Sequence, residues 1–128
     1  MPFVLLAHSW LRWLVLIAGF VTLVRCLGGW SGGRPWSSGD DGAGRLFTVG
    51  LDIQALLGIV LYGYFGNVTR MEHVGGMALA LVLAHVGMAR IRRASSASAR
   101  HRTAVIFLGL SLLVILGVIP WRAPLLRF

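Results

Sequence analysis

The sequence predicts an all-α integral membrane protein, folded as a single four-helix bundle over residues 1–128. Composition is the first reason: 57% of the residues are hydrophobic and only 12% are charged, too few to cover a water-soluble domain of this length. The second reason is that the apolar residues fall into four runs. Each run is close to the roughly 17–25 residues that a membrane-spanning helix needs.

The four predicted helices cover about 3–27, 46–65, 71–91 and 103–119. Between the first two, the segment GGWSGGRPWSSGDDGAG is rich in Gly and Ser and has no helical periodicity, so it is predicted to be a loop. A short turn at 66–69 joins the second and third helices, and the basic segment RRASSASARHR joins the third and fourth. Pro120 is predicted to end the fourth helix, and Trp121 to anchor it at the interface.

The positions of the arginines predict the orientation of the bundle. The chain carries twelve basic residues, all Arg, and a formal net charge of +8. Eight of them lie in or beside the first and third connections: Arg25, Arg34, Arg45, Arg90, Arg92, Arg93, Arg100 and Arg102. The positive-inside rule therefore places both connections in the cytoplasm and both termini outside. Because these arginines flank apolar runs, they indicate contact with lipid headgroups and not with nucleic acid.

Four ionisable residues are predicted to cluster near the outer surface: His8, Arg12, Glu72 and His73. His8 and Arg12 are four residues apart and share a helix face. His8 lies seventeen residues before Arg25, and His73 lies seventeen before Arg90. At 1.5 Å per residue, both histidines lie about 25 Å from their cytoplasmic arginines and therefore at the same depth.

Small or polar residues continue the helix face of each histidine. Below His8 they are Val15, Gly19, Thr22 and Cys26, and below His73 they are Gly76, Ala80, Ala84 and Gly87. Such faces admit another backbone or a flat cofactor. His8 and His73 could be the two axial metal ligands of a b-type haem, with Arg12 on a propionate. The alternative is structural: Glu72 and Arg12 form an ion pair to which the histidines hydrogen bond.

A second polar pair, Asp52 and His85, is predicted nearer the cytoplasm. The two residues lie at similar depths on the second and third helices, so they should meet. One interpretation is a proton-coupled site that contacts a quinone headgroup, and the other is a buried polar clamp in which the two side chains only orient each other.

Gln54 lies about 200° around the second helix from Asp52, so both side chains cannot face one bundle interior. Together with Gly50 and Gly58 it forms a small-residue stripe, which predicts a second helix contact, for which a partner subunit or a second copy of the chain is a candidate. His101 falls in the predicted basic loop and is expected to be solvated.

Four segments carry a family resemblance: HSWLRWLVL, DIQALLGIVLYGYF, MEHVGGMALALVLAHVGMARIRR and GVIPW. They resemble a family of small four-helix bacterial inner-membrane proteins, mostly uncharacterised, some of which are labelled b-type cytochrome-like. The resemblance implies a multi-pass protein of the bacterial inner (cytoplasmic) membrane and a site at His8, Arg12, Glu72 and His73. It departs at Asp52, where the family pattern has His.

The main functional expectation is a membrane electron-transfer protein with haem b held between the first and third helices near the outer surface. It would exchange electrons with quinol. The alternative is a non-catalytic accessory or assembly subunit of a larger membrane complex, in which the His/Arg/Glu cluster is structural. A small proton-coupled carrier that uses Asp52 and His85 is a third interpretation. The sequence shows no phosphate-binding Gly-rich loop and no catalytic-triad spacing, so hydrolytic chemistry has no support.

Overall fold

The computed structural model describes residues 2–65 and 71–119, and these fold into four α-helices. The helices are α1 (Pro2–Ser31), α2 (Ser38–Phe65), α3 (Met71–Arg93) and α4 (Ala97–Val118). Each is long and apolar enough to cross a membrane. The predicted all-α, four-helix fold is therefore confirmed. The predicted turn at 66–69, Pro120 and Trp121 lie outside the described residues.

Helix α2 begins at Ser38, well before the predicted start at 46, so the prediction of a loop through residue 45 is wrong. The cause is a capping box at the start of the helix. Ser37 Oγ accepts a hydrogen bond from the Asp40 backbone N–H at 3.3 Å, and Asp40 Oδ2 accepts one from the Ser37 backbone N–H at 2.9 Å. The high Gly and Ser content of this segment concealed the Ser-x-x-Asp signal.

Helix α4 also begins earlier than predicted, at Ala97 instead of 103. Ser96 is its N-cap: the backbone is extended and the side chain accepts a hydrogen bond from the Ala99 N–H at 3.1 Å. The extra turn carries His101, so this residue lies on a helix and its side chain is fully buried. The prediction that His101 is solvated is wrong.

His101 joins the two connections that were predicted to lie on one side of the membrane. Its Nε2 donates a hydrogen bond to the Arg34 carbonyl at 3.0 Å, and its ring packs against the Trp36 ring, with the two ring centroids 5.1 Å apart. Gly29 makes room for the ring, because a Cβ at that position would overlap it. The first and third connections therefore meet at the same end of the bundle, as the arginine distribution requires.

Asp40 stabilises the end of the bundle at which the first and third connections meet. Its carboxylate is completely buried and accepts hydrogen bonds from Arg25 Nε at 3.1 Å and from both terminal nitrogens of Arg34 at 2.8 Å. Hydrogen bonding to Asp40 raises the pKa of Arg34, which lies in the 32–37 connection. The connection is thus held against α1 by a charged cluster that the loop prediction had missed.

The four helices pack in a ring in which each contacts two neighbours. Helices α3 and α4 pack most closely, followed by α1 with α2 and α1 with α4, whereas α2 and α3 touch least. Helices α1 and α3 therefore occupy diagonally opposite corners. This arrangement leaves a sparse interface between α2 and α3. Side chains of the diagonal helices still meet across the bundle, since Arg12 of α1 and His73 of α3 line one cavity.

The core lies between the predicted small-residue faces. The α1 face is buried throughout, as predicted: His8, Arg12, Val15, Gly19, Thr22 and Cys26. On α3, Ala80, Ala84 and Gly87 are buried, and His73 and Gly76 are half-buried. Large apolar side chains instead point outward, with Phe20, Leu56 and Leu113 each more than 60% exposed. That inversion is expected of helices whose outer surface contacts lipid.

Candidate functional site

The divergence of α2 and α3 leaves an open groove of about 670 Å³, here called the α2–α3 groove. Side chains from both helices line it: Arg45, Thr48, Val49, Asp52, His85, Met88, Ala89 and Arg92. Its size falls within the range of small-molecule sites in proteins, about 300–1,000 Å³. Of the features that the structure describes, this groove is the best candidate for a binding site.

Asp52 and His85 meet inside the groove. His85 Nε2 lies 2.7 Å from Asp52 Oδ1, which confirms the predicted pair. The pair is not a buried clamp, however, because the side chain of His85 is 54% exposed and that of Asp52 is 39% exposed. Both therefore remain accessible to a molecule that enters the groove.

The hydrogen bond to Asp52 determines which ring nitrogen of His85 can contact a ligand. A carboxylate accepts, so Asp52 Oδ1 accepts a hydrogen bond from His85 Nε2–H, and Nδ1 is left as the second functional nitrogen of the ring. Neutral His85 can accept a hydrogen bond at Nδ1, and protonated His85 can donate one. A carboxylate partner orients the imidazole and stabilises the protonated ring.

Two arginines form a cationic rim at one end of the groove. Arg45 precedes Asp52 by seven residues and Arg92 follows His85 by seven, so the Asp52–His85 pair lies about 10 Å below this rim. Arg45 forms an ion pair with Asp41 at 3.0 Å. The groove therefore runs from cationic groups at one end to a polar pair about 10 Å further along the helices. The sequence interpretation assigned both arginines to topology and lipid-headgroup contact, although their equal spacing from the pair was the available signal.

The outer cluster is assembled differently from its prediction. The His8 side chain is 6% exposed, and its backbone carbonyl accepts a hydrogen bond from Gln54 Nε2 at 2.9 Å. The ring packs on Gly58, where a Cβ would lie 3.4 Å from His8 Cε1. His8 Nδ1 and Gln54 Oε1 are both buried and have no hydrogen-bond partner among residues 2–65 and 71–119.

His73 is held by α4. Its Nδ1 lies 3.0 Å from the Val118 carbonyl oxygen. Because a carbonyl can only accept, Nδ1 carries the proton and Nε2 of the neutral ring keeps its lone pair. Gly76, one turn further along α3, permits this close approach, since a Cβ there would overlap Val118.

A small internal cavity of about 10 Å³ lies within the outer cluster. Arg12, Gln54 and His73 provide its polar lining, and Val15, Met77, Ile115 and Ile119 its apolar lining. Glu72 does not take part: it is exposed in the first turn of α3, and no ion pair in the described part of the chain includes it. The predicted Glu72–Arg12 pair is thus not seen among these residues.

The Gly50–Gln54–Gly58 stripe packs within the chain. Gln54 is 4% exposed and bonds to His8, while a Cβ on Gly50 would lie 3.2 Å from Val15 Cγ2. The stripe therefore faces α1, which confirms the predicted contact with a second helix; that helix belongs to the same chain and not to a partner subunit or a second copy. Its small residues serve the α1–α2 contact.

The residues around His8 and His73 fit a haem in chemistry but not in space. His73 presents Nε2, as an axial histidine does when its Nδ1–H is bonded to a carbonyl. The cavity beside it, however, has room for about one water molecule. The side chains of Gln54 and Ile115 line that cavity, so it does not admit a porphyrin ring.

Comparison with known proteins gives no matching family model, no matching curated protein and no matching solved structure. The resemblance to small bacterial four-helix membrane proteins stays a prediction.

Proposed function

We propose that this chain binds a quinone headgroup in the α2–α3 groove and exchanges a proton with it through His85 and Asp52. The observation that carries the proposal is the 2.7 Å contact between His85 Nε2 and Asp52 Oδ1 at the wall of an open groove. Ionisable residues within membrane spans are costly and mark functional sites more often than not. The proposal places the protein in the bacterial inner membrane.

The shape of the groove supports an amphipathic ligand. Val49 and Met88 give it apolar walls, and the neighbouring outward side chains of Ile53 and Val86 are exposed, which gives a ligand access from the lipid. A quinone reaches its sites from the bilayer, with an apolar tail and a headgroup that carries two carbonyl oxygens. The tail would remain in lipid while one carbonyl approaches His85.

The chemistry follows from the pair. A quinone oxygen accepts a hydrogen bond, and it takes up a proton when the ring is reduced. Protonated His85 can supply that proton from Nδ1, and Asp52 stabilises the imidazolium before transfer and orients the ring afterwards. The electrons would come from a partner electron carrier in the membrane, and His85 would regain its proton from the nearby cytoplasmic end of the groove.

Binding of a short-chain quinone analogue to the full-length protein in lipid nanodiscs tests the proposal. We expect His85→Gln and Asp52→Asn to weaken binding about tenfold or more, which corresponds to the loss of one charge-assisted hydrogen bond. Asp52→Glu should retain part of the affinity, and Ser98→Ala, an exposed change on α4, should retain all of it. Equal affinity in all five proteins, or no binding by the unmodified chain, would refute the proposal.

Haem-based electron transfer also stays a prediction: one observation favours it, although the cavity beside His73 has no room for the group. The Val118 carbonyl holds His73 in the tautomer that leaves Nε2 as a ligand, and His8 Nδ1 is buried without a partner among the described residues. If haem is bound, the purified protein should show a Soret band that shifts on reduction and is lost in His73→Ala. A colourless, folded preparation would remove this candidate. The accessory-subunit alternative also stays a prediction, although the Gly50–Gln54–Gly58 stripe no longer supports it.

A further inference from the structure

Gln54 has one satisfied and one unsatisfied polar atom in the membrane interior. Its Nε2 donates to the His8 carbonyl, while Oε1 is buried and bonds to no residue in 2–65 or 71–119. A buried carbonyl oxygen without a donor is costly, and nearly all such groups in native proteins are paired with protein or water. Gln54 lines the small cavity beside Arg12 and His73, so a donor placed there would satisfy it.

His73, which also lines the cavity, offers a second acceptor. Its Nδ1–H is committed to the Val118 carbonyl, so Nε2 is an acceptor. Two acceptors, Gln54 Oε1 and His73 Nε2, therefore belong to residues that line one cavity of about 10 Å³. That volume is at the lower bound for a single water molecule.

The hydrogen-bonding groups that line the cavity restrict which molecule can bind there. A halide is excluded because it cannot donate to Gln54 Oε1 or His73 Nε2, and polyatomic anions that can donate are too large for a cavity of about 10 Å³. A metal or alkali cation is disfavoured because the Arg12 guanidinium lines the same small space. A neutral molecule with two donor hydrogens and at least one acceptor lone pair meets every requirement, since its lone pair can accept from an Arg12 N–H.

We propose that this cavity is a binding site for one ordered water molecule, which donates to Gln54 Oε1 and His73 Nε2. The water completes a hydrogen-bonded chain through all four helices: the His8 carbonyl on α1, Gln54 on α2, the water, His73 on α3 and the Val118 carbonyl on α4. The site is independent of the α2–α3 groove. It also competes with haem ligation, because both use His73 Nε2.

Solid-state NMR of the full-length, nitrogen-15-histidine-labelled protein in lipid bilayers tests the proposal. We expect His73 to show a protonated Nδ1 and an unprotonated Nε2 whose resonance is shifted by a hydrogen bond. A magnetisation-transfer cross-peak should connect Nε2 to water. A protonated Nε2, an Nε2 ligated to a metal, or the absence of the water cross-peak would each overturn the assignment.

A matched pair of variants sharpens the test. Gln54→Met removes Oε1 at nearly constant volume and should weaken the water cross-peak of His73 severalfold. Ser111→Ala also removes a buried polar group, one that donates to the Ala80 carbonyl between α3 and α4, and should leave the cross-peak unchanged. A cross-peak of full strength in folded Gln54→Met would overturn the proposal. If that variant fails to fold, the measurement on the unmodified chain decides alone.

Discussion

Asp52 Oδ1 and His85 Nε2 lie 2.7 Å apart although the residues are 33 positions apart in the chain. Their contact bridges α2 and α3, the two neighbouring helices that otherwise touch least. Both side chains are partly exposed at the wall of the α2–α3 groove, so a bound molecule could reach them. The sparse contact between the two helices and this accessibility support the binding site proposed above.

Asp52→Asn should therefore leave the fold intact. We expect the free energy of unfolding to change by less than about 1 kcal/mol, since Asn keeps the size of the side chain and its Oδ1 can still accept a hydrogen bond from His85 Nε2–H. Thermal unfolding of both proteins in the same detergent, followed by circular dichroism, measures this. A large loss of stability would show that the pair is a structural clamp, and the quinone-binding assay on this variant would then lose its meaning.

Gly29→Ala should destabilise the cytoplasmic end of the bundle. The new methyl group would overlap the His101 ring, which is fixed by Trp36 and the Arg34 carbonyl. Overpacking of this kind costs about 1–3 kcal/mol. Gly28→Ala is the matched control, because a Cβ there has open space and the substitution favours the helix by up to about 1 kcal/mol. Equal thermal unfolding of the two variants would contradict the packing described for His101.

Asp40→Ala should be the more disruptive change at this end of the molecule. It removes the acceptor for Arg25, Arg34 and the Ser37 backbone N–H, and with it the capping box of α2. We expect a loss of about 2–4 kcal/mol, since these are charge-assisted hydrogen bonds to a buried carboxylate. Chemical unfolding measures the loss. Asp41→Ala, which breaks only the exposed pair with Arg45, should cost less than about 1 kcal/mol.

The predicted orientation can be read from single-cysteine labelling of whole cells. Cys26 is completely buried and should resist a maleimide reagent, and its replacement by Ser gives a cysteine-free background. In that background, Ser95→Cys in the α3–α4 connection should react only after the membrane is permeabilised. Phe3→Cys, exposed at the start of α1, should react in intact cells. The reverse pattern would overturn the positive-inside assignment.

Much of the fold could be predicted from local sequence. Four apolar runs of spanning length predict four helices, because the bilayer requires every backbone polar group to be bonded within its own helix. The small faces of α1 and α3 were also recognisable, since only one side of each helix admits a close neighbour. The Asp52–His85 pair followed from helix depth alone, because helices that run through a bilayer convert residue counts into distances.

Tertiary packing decided the rest. Whether α1 neighbours α3 is a property of the ring of helices, and their diagonal placement could not be predicted from the depth of His8 and His73. The partner of the Gln54 stripe, the burial of His101 and the opening of the α2–α3 groove likewise depend on contacts between distant segments. Residue spacing along a helix gives the depth of each side chain and the side of the helix from which it projects. Which helix surfaces meet, and how much space remains between them, is decided only when all four helices pack together.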